Sequence, residues 1–310
     1  MKSKYEVIKM IDMFNVKSNQ EVFDTLKQGC KEALNISNED FDKNFFKIKN
    51  KKTKKDKALN GINNNHRSSG GEGNSGRKFA TPYADKLVDQ WYKTRDVNWL
   101  YNHPDYLWEG LACSYATSAP LVATNLEKEL KYPRYDRHTP IDPALMEWNI
   151  FDWGAGIGLT TLILAKAFPN STIYYNEIND QQIKLFKWLL IKSGCTNVKI
   201  IDDIDNLPEL DMLVGIEIVE HFQSPMTFLR PLLSKVKTGG LFAHSSYWES
   251  EMKMPTLGHF RTYNFDGDIR RVDKKRHIYN GFRKAMDNEN WDFLNWQPFM
   301  NKPRFYRKRC

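Results

Sequence analysis

The chain has 310 residues, of which 41% are hydrophobic and 13% aromatic, and this size and composition suit one α/β domain with additional segments. No stretch approaches the roughly 18 consecutive apolar residues of a membrane span. The N-terminus mixes charged with apolar residues, unlike a signal peptide. We therefore expect a cytoplasmic protein with no membrane partner. The cysteines are widely spaced without a CxxC pair, which predicts free thiols and no metal site: Cys30, Cys113, Cys195 and Cys310.

The net charge of +8 is concentrated in one segment. Residues 47–78 contain ten basic and two acidic residues, so this segment alone carries an excess equal to the net charge of the chain. It is also rich in Asn, Ser and Gly and poor in the apolar residues that would offset its ordering entropy, which predicts a flexible basic linker. The last ten residues add five basic side chains. Composition therefore predicts no basic face on the folded body, only two basic segments.

Helices are predicted on both sides of the linker. Residues 1–46 have apolar residues at helical spacing and a capping-box pattern from Ser18 to Glu21, which predict a small helical segment. Residues 79–147 are rich in aromatic residues and include stretches of helical periodicity such as DKLVDQWY. We predict that this second region is a helical extension that packs on the body of the protein, with its aromatic residues in the core.

Strand and helix patterns alternate from residue 148 to residue 310. Strands are predicted near 148–153, 171–176, 197–202, 210–216 and 240–246, and helices near 159–168, 179–192, 224–236 and 276–287. Such alternation predicts an α/β fold with a doubly wound, mainly parallel sheet that is covered by helices on both faces. The apolar stretches WDFLNW and PRFY near the C-terminus predict an antiparallel hairpin at the end of the sheet.

A glycine-rich loop follows the first of these strands. In the segment NIFDWGAGIGL, an apolar strand ends near Asp152 and is followed by Gly154, Gly156 and Gly158. Glycine permits a tight turn and lets a ligand approach backbone amides that a Cβ atom would cover. A dinucleotide fingerprint would place a small residue at position 159, where this chain has Leu159, and no Gly-Lys-Ser/Thr sequence forms a Walker loop.

The motif DWGAGIG resembles the first motif of class I S-adenosylmethionine-dependent methyltransferases. Segments further along the chain, including GIEIVEHF, are similar to the metabolite-type branch of that family, and the resemblance covers roughly residues 148–300. It implies S-adenosylmethionine as the cofactor, with Glu177 at the end of strand IYYNE accepting hydrogen bonds from both ribose hydroxyls. It also implies that Asp203, or alternatively Asp202, faces the adenine amine. Cofactor contacts are further expected from the glycine loop, at Asp152, Gly154, Gly156 and Gly158.

The resemblance implies direct displacement of a methyl group from a sulfonium, a reaction in which positioning and exclusion of water supply much of the acceleration. A general base is therefore optional. The candidates for catalytic residues are Glu217 and His221, which follow the fourth strand, and His259, which lies in the long insert after the fifth. The simpler interpretation is that His221 packs against the cofactor or caps the helix at Ser224, and that His259 is an ordinary surface or core histidine.

Three functions are compatible with these patterns. The leading hypothesis is methylation of oxygen or nitrogen in a small-molecule acceptor. The alternative is methylation of nucleic acid or protein, with residues 47–78 and the C-terminal tail as electrostatic arms. Against DNA, the fourth strand leads into GIEIVEHF and not into the Asp/Asn-Pro-Pro-Tyr/Phe turn that amino-methylating DNA enzymes use for a flipped base. The third hypothesis is a binding protein that keeps the fold without turnover.

Overall fold

The computed structural model describes residues 14, 19–45, 87, 90–91, 93–94, 96–108, 110–111, 142–246, 260, 262–271, 275–294 and 304–310. The predicted basic linker 47–78 lies outside these residues, as does most of the stretch from 79 to 141. Within the described residues, every helix falls short of the length and hydrophobicity that a membrane span requires. The division of the chain at residues 46, 78 and 147 stays a prediction.

The elements follow one another in an order that alternates strand and helix through most of the second half of the chain. They are α1 (Asn19–Leu34), α2 (Asn38–Phe45), α3 (Val97–Asn102), β1 (Asn149–Trp153), α4 (Leu159–Ala167), β2 (Thr172–Asn176), α5 (Asp180–Ser193), β3 (Val198–Ile200), β4 (Leu210–Ile216), α6 (Pro225–Ser234), β5 (Val236–Ser245), β6 (Thr262–Phe265), β7 (Asp268–Arg271), α7 (Lys275–Asn288), β8 (Trp291–Phe293) and β9 (Arg304–Lys308).

Seven strands form one sheet in the order β3-β2-β1-β4-β5-β9-β8. The first five are parallel, and β9 runs antiparallel to both of its neighbours, β5 and β8. The predicted mainly parallel sheet and its antiparallel closing hairpin are therefore confirmed. A dinucleotide-binding sheet has the order 3-2-1-4-5-6 with parallel strands, so the insertion of β9 beside β5 distinguishes this fold from it.

Alternate side chains of the strands face two layers of helices, which confirms the doubly wound arrangement. On one face, Ile150 and Val214 pack with Leu164 of α4. On the other face, Phe151 and Phe242 belong to a core shared with α6 and α7, where the packing side chains include Leu229, Leu232, Phe282 and Met286. Burying both faces explains why the central strands are apolar along their whole length and do not alternate with polar residues.

The helix limits follow the predicted signals. Asn179 caps α5 by accepting a hydrogen bond from the backbone N–H of Gln182 at 3.0 Å, and Gly194 ends the helix in a left-handed conformation with φ of 66°. Pro225 occupies the first turn of α6, where its missing N–H leaves no helical hydrogen bond unmade. These residues fix the positions at which α5 and α6 leave the sheet edge.

The N-terminal helices share a core with the sheet domain. Val22, Leu26 and Phe41 from α1 and α2 pack with Leu185 and Leu189 of α5. A Cβ atom added at Gly29 would stand 2.8 Å from the side chains of Leu185 and Trp188, so the helices approach closely at this point. The indole of Trp188 also donates to Glu32 at 2.9 Å. The described part of the N-terminal region therefore buries the outer surface of α5.

An antiparallel hairpin of β6 and β7 was not predicted. Its turn contains Asp266 and Gly267, both left-handed with φ of 57° and 87°. Asp-Gly between alternating residues is the usual signal of a two-residue hairpin, and the segment YNFDGDIR contains it. The backbone N–H of Asn264 donates to the carbonyl of Gln223 at 2.8 Å, which attaches the hairpin to the loop after β4.

Candidate functional site

The site lies at the point where the strand order of the sheet reverses. Strand β1 has β2 on one side and β4 on the other, so the chain leaves β1 toward one edge of the sheet and later returns on the other side. In open parallel sheets, the crevice between such diverging connections, beyond the carboxyl ends of the strands, is where ligands bind. The loops after β1, β2 and β4 meet at this crevice.

The glycine loop after β1 has a backbone conformation that other residues adopt only with strain. Gly154, Gly156 and Gly158 have φ of 62°, 60° and 75°. A Cβ atom at Gly154 would stand 2.3 Å from Ile218 Cδ1, and one at Gly158 would stand 2.0 Å from a ring carbon of Phe186. Glycine is therefore needed for conformation at three positions and for space at two of them.

Glu177 connects the loops after β1 and β2. Its carboxylate accepts hydrogen bonds from the backbone N–H groups of Gly156 at 2.9 Å, Ile178 at 2.7 Å and Asn179 at 2.9 Å. The hydroxyl of Tyr175 donates to the carbonyl of Gly156 at 2.7 Å and holds the same turn from the sheet side. Burial raises the pKa of Glu177, and the three backbone hydrogen bonds oppose that rise. The carboxylate lies at the sheet edge where the sequence resemblance places the ribose.

Asp152 lies beneath the glycine loop at the end of β1. Its side chain is buried and accepts a hydrogen bond from Thr161 of α4, with 2.6 Å between the two oxygens. Burial raises its pKa to about 7; the Thr161 hydrogen bond lowers it and the charge of Glu177 raises it further. Asp152 thus couples the loop to the first turns of α4 and carries a carboxyl group that titrates near neutrality.

The acids predicted to face adenine are at the mouth of the crevice after β3. Asp202 and Asp203 are both exposed. Asp203 caps a short 3-10 turn, Ile204–Asn206, by accepting from the backbone N–H of Asp205 at 2.9 Å. Only Oδ1 of Asp203 accepts this capping hydrogen bond, and Asp202 lies one residue before the cap. Both residues follow the carboxyl end of β3, and their contact with adenine stays a prediction.

The loop after β4 supplies the opposite wall. Glu217 has a left-handed backbone, with φ of 52°, and its carboxylate accepts a hydrogen bond from Ser245 Oγ at 2.7 Å. Its backbone N–H donates to the carbonyl of Ser245 at 2.8 Å. A non-glycine residue in this conformation is destabilised by about 1 to 3 kcal/mol, and such residues cluster at functional sites. Two hydrogen bonds to one residue of β5 thus hold Glu217 in this conformation.

His221 ends the short turn Val219–His221 and contacts a residue that the sequence analysis did not select. The ring of Tyr101, from α3, meets the ring of His221 edge to face with 5.9 Å between centroids. The side chain of Ser224 makes no capping hydrogen bond at the start of α6. The contact with Tyr101 is therefore the clearest interaction of the His221 ring. The predicted base and an aromatic residue 120 positions earlier lie side by side.

Tyr101 is inserted between the two walls of the crevice. Only 9% of the residue is exposed, and its ring meets the ring of Tyr106 edge to face with 4.9 Å between centroids. Burial raises the pKa of Tyr101, the charges of Glu177 and Glu220 raise it further, and a hydrogen bond with Tyr106 lowers it. The side-chain amide of Asn179 donates to its backbone carbonyl and fixes α3 to the start of α5. The sequence analysis assigned this aromatic stretch to the core, and no local pattern separates Tyr101 from its neighbours.

His259 lies outside the described residues, so its position relative to the crevice is not part of the structure. Its neighbour Phe260 is described, and its ring contacts Trp91 at 5.5 Å and Tyr263 at 6.2 Å between centroids. The hydroxyl of Tyr263 donates to the carbonyl of Glu220 at 2.9 Å. Phe260 is thus packed between Trp91 of the predicted helical extension and Tyr263, which contacts the loop after β4.

No protein-family model matches the chain. Among solved structures, the chain is similar to a SAM-dependent methyltransferase from Aquifex aeolicus, with 13% identity, 71% of this chain and 97% of that chain covered, and a TM-score of 0.42. It is also similar to precorrin-6y C5,15-methyltransferase from Geobacter metallireducens, with 12% identity, 61% and 89% coverage and a TM-score of 0.39. A third similar structure, the fibrillarin/Nop5p complex, has 12% identity, 61% and 80% coverage and a TM-score of 0.41.

Proposed function

We propose that this protein is an S-adenosylmethionine-dependent methyltransferase that transfers a methyl group to oxygen or nitrogen of a small-molecule acceptor. The single observation that carries the proposal is the joining of the left-handed glycine loop to Glu177 at the reversal point of the sheet. Three left-handed glycines shape the loop on one side of the crevice, and a carboxylate stands at the end of the neighbouring strand.

The residues of the crevice fit this cofactor in shape and in donor chemistry. At Gly154 and Gly158 a Cβ atom would collide with Ile218 or Phe186, so only glycine permits the loop to turn this tightly against the sheet domain. Glu177 supplies acceptor oxygens for sugar hydroxyls, and Asp202 or Asp203 supplies an acceptor for an exocyclic amine. Asp152 holds the loop from below through Thr161. When bound, the cofactor supplies an electrophilic methyl group on a positively charged sulfur.

The protein's own residues then position the acceptor and exclude water. Glu217, His221 and Tyr101 surround the part of the crevice between β1 and β4, and α3 covers it. Holding two reactants in line contributes about 7 to 11 kcal/mol in favourable cases, so positioning alone is a sufficient role for this wall. Glu217 or His221 would accept the proton that an oxygen or nitrogen acceptor releases, and His259 stays a third candidate.

The C-terminal tail gives less support to a nucleic-acid substrate than its composition suggests. Residues 304–308 form β9, and the ammonium of Lys308 donates to the carbonyl of Val236 at 2.6 Å. Arg309 pairs with Asp287 and Asp292. These charges are engaged within the fold and are not arranged as a free arm. The macromolecular alternative therefore rests on residues 47–78, and a nucleic-acid substrate would show itself in the assay below.

Calorimetry with S-adenosylmethionine tests the cofactor site. We expect wild type to bind and Glu177→Ala to bind about 100-fold more weakly, since hydrogen bonds to charged groups contribute roughly 1.5 to 3 kcal/mol. Glu147→Ala is the matched control, because Glu147 is exposed just before β1, at the opposite edge of the sheet. Glu177→Gln keeps one acceptor oxygen for the backbone and separates local folding from binding. Equal affinities of wild type and Glu177→Ala would remove the ribose assignment.

Transfer of the methyl group needs its own measurement. The protein is incubated with cofactor labelled in the methyl group and with separate extracts of metabolites, RNA and protein. We expect label in the metabolite fraction. Label in RNA or protein would replace the small-molecule proposal by the macromolecular one, and cofactor binding without any transfer would favour a binding protein.

A further inference from the structure

Arg304 is a buried cation near the same edge of the sheet, and the proposed function gives it no role. It is the first residue of β9, and only 8% of it is exposed. In the sheet register Arg304 lies opposite His244 of β5, which in turn lies opposite Gly215 of β4. Two strand spacings, about 10 Å, therefore separate Arg304 from the strand that leads to Glu217.

The guanidinium is held in place by an aromatic ring. Its central carbon lies 3.8 Å from the centroid of Tyr279 in α7, a stacked cation–π geometry. The hydroxyl of Tyr279 donates to the carbonyl of Ser246, just beyond β5, at 3.3 Å. Burial raises the pKa of Tyr279, the charge of Arg304 and a hydrogen bond with its side chain oppose that rise, and the charges of Glu217 and Glu220 add to it. Arg304 and Tyr279 thus reach the carboxyl edge, within electrostatic range of the loop after β4.

No carboxylate of the described residues forms an ion pair with Arg304. By contrast, an acidic side chain pairs with each of Arg230, Arg270 and Arg309. The nearest ionisable side chain in the register, His244, is fully buried, and burial followed by the charge of Arg304 lowers its pKa well below the ordinary value. An imidazole is either neutral or positively charged, so His244 cannot balance the charge of Arg304. Burying a cation without a counter-ion is destabilising by several kcal/mol.

We propose that Arg304 and Tyr279 bind an anionic group, a carboxylate or a phosphate, on the methyl acceptor. A guanidinium binds either group through two parallel N–H···O bonds, and the stacked ring fixes the plane from which it presents them. The unbalanced charge is then an element of substrate recognition, and the bound anion is its counter-ion. This inference rests on the proposed function, since it assigns the acceptor to the same crevice.

Anion binding is tested first without any methyl transfer. The thermal midpoint of the full chain is measured with sodium succinate or inorganic phosphate against sodium chloride at equal ionic strength. We expect one of the two probes to raise the Tm of wild type by about 3 °C when present at ten times its Kd. Arg304→Met should abolish the shift, and Arg304→Lys should reduce it. The probe that acts distinguishes a carboxylate site from a phosphate site.

Arg283→Met is the matched control. Arg283 of α7 also lies over an aromatic ring, with 5.1 Å between its central guanidinium carbon and the centroid of Phe293, but it is exposed. It should keep the wild-type shift. In the absence of added anion, Arg304→Met should melt at or above the wild-type temperature, because it removes an unbalanced buried charge. A fall in Tm together with an unchanged anion response would make Arg304 a structural residue and overturn the proposal.

The second arm identifies the acceptor. Label transferred from the cofactor to a metabolite extract should be retained on an anion-exchange resin, and Arg304→Met should lower kcat/KM for that fraction about 100-fold. The Kd for S-adenosylmethionine should stay within about twofold of wild type, since Arg304 is outside the cofactor loop. Label in neutral or cationic compounds would overturn the anion assignment and leave the methyltransferase proposal intact. Absence of cofactor binding would overturn the methyltransferase proposal, and the anion titration would still decide the role of Arg304.

Discussion

The two walls of the crevice are built in different ways. On the side of β1 and β2, the glycine loop and Glu177 satisfy one another through backbone hydrogen bonds within residues 152–179. On the side of β4 and β5, the walls come from separate segments, with Tyr101 from α3, Glu217 after β4, Tyr279 from α7 and Arg304 from β9. The first wall is a local structure built within one stretch of chain, and the second is an assembly of side chains from separate segments.

The second wall also holds groups that the fold leaves in unfavourable states. Glu217 has a left-handed backbone, the hydroxyl of Tyr101 is buried, and Arg304 has no carboxylate partner among the described residues. In the first wall, the three left-handed positions are occupied by glycine, which adopts this conformation without strain. We infer from this difference that the proposed cofactor side is held in one rigid shape, whereas the proposed acceptor side keeps the charge of Arg304 for a bound anion.

The largest expected effect is on the rigid wall. Gly158→Ala places a Cβ atom 2.0 Å from the ring of Phe186, which is fully buried and stacked on Tyr175, so the ring has no space to move. We expect a loss of about 3 kcal/mol or more in the free energy of unfolding, together with loss of cofactor binding. Urea denaturation and calorimetry measure the two quantities.

Gly194→Ala separates conformation from space in that experiment. Gly194 has φ of 66°, similar to the loop glycines, but an added Cβ atom would meet nothing within 4 Å. We expect a loss of only about 1 kcal/mol and unchanged cofactor binding. Equal losses in the two variants would mean that the loop is not closely packed, and the contrast between a rigid and an adaptable wall would fail.

A smaller effect, in pH dependence, tests Asp152 beneath the same loop. Burial raises the pKa of Asp152 to about 7 from an ordinary value of 3.8, so the folded protein binds a proton that the unfolded chain has lost between those values. Its contribution to stability therefore falls as the pH rises from about 4 to about 7 and is constant above that range. From pH 5.5 to pH 8, wild type should lose about 2 kcal/mol more than Asp152→Asn. Parallel curves from urea denaturation of the two proteins would show that Asp152 does not titrate in this range.

The smallest expected change in stability belongs to Tyr101. Tyr101→Phe removes a buried hydroxyl that shares a hydrogen bond with Tyr106, so we expect the free energy of unfolding to fall by about 1 kcal/mol. Methyl transfer should fall about tenfold, because the hydroxyl is then missing from the acceptor wall. Cofactor affinity should be unchanged. A small loss of stability together with a much larger loss of turnover would sharpen the contrast between the two walls.

Tyr174→Phe is the control for that variant. The hydroxyl of Tyr174 donates to Asn149 at 3.3 Å, at the amino end of the sheet and away from the crevice. Its loss should lower stability slightly and leave turnover at the wild-type level. If Tyr101→Phe behaves in the same way, Tyr101 has only a packing role.

Much of the sheet domain was predictable because its signals are local. Strand β4 was predicted at 210–216 and observed at Leu210–Ile216, and α5 begins and ends at the predicted cap residues Asn179 and Gly194. Strand β5 starts four residues earlier than the predicted 240, because Val236 pairs with Leu210 across an irregularity in the register. The Asp-Gly turn of the β6–β7 hairpin is a local signal too, although it lies within the long insert after β5.

The sequence by itself determined the order of strands and helices, the glycine loop, and the acid at the end of β2, because each depends on residues within a few positions of one another. Only the tertiary structure decided that Tyr101 lies against His221, that Arg304 is buried beside Tyr279, and that β9 enters the sheet between β5 and β8. These contacts join segments far apart in the chain. Their formation depends on how the helices and strands pack, which no local spacing of residues records.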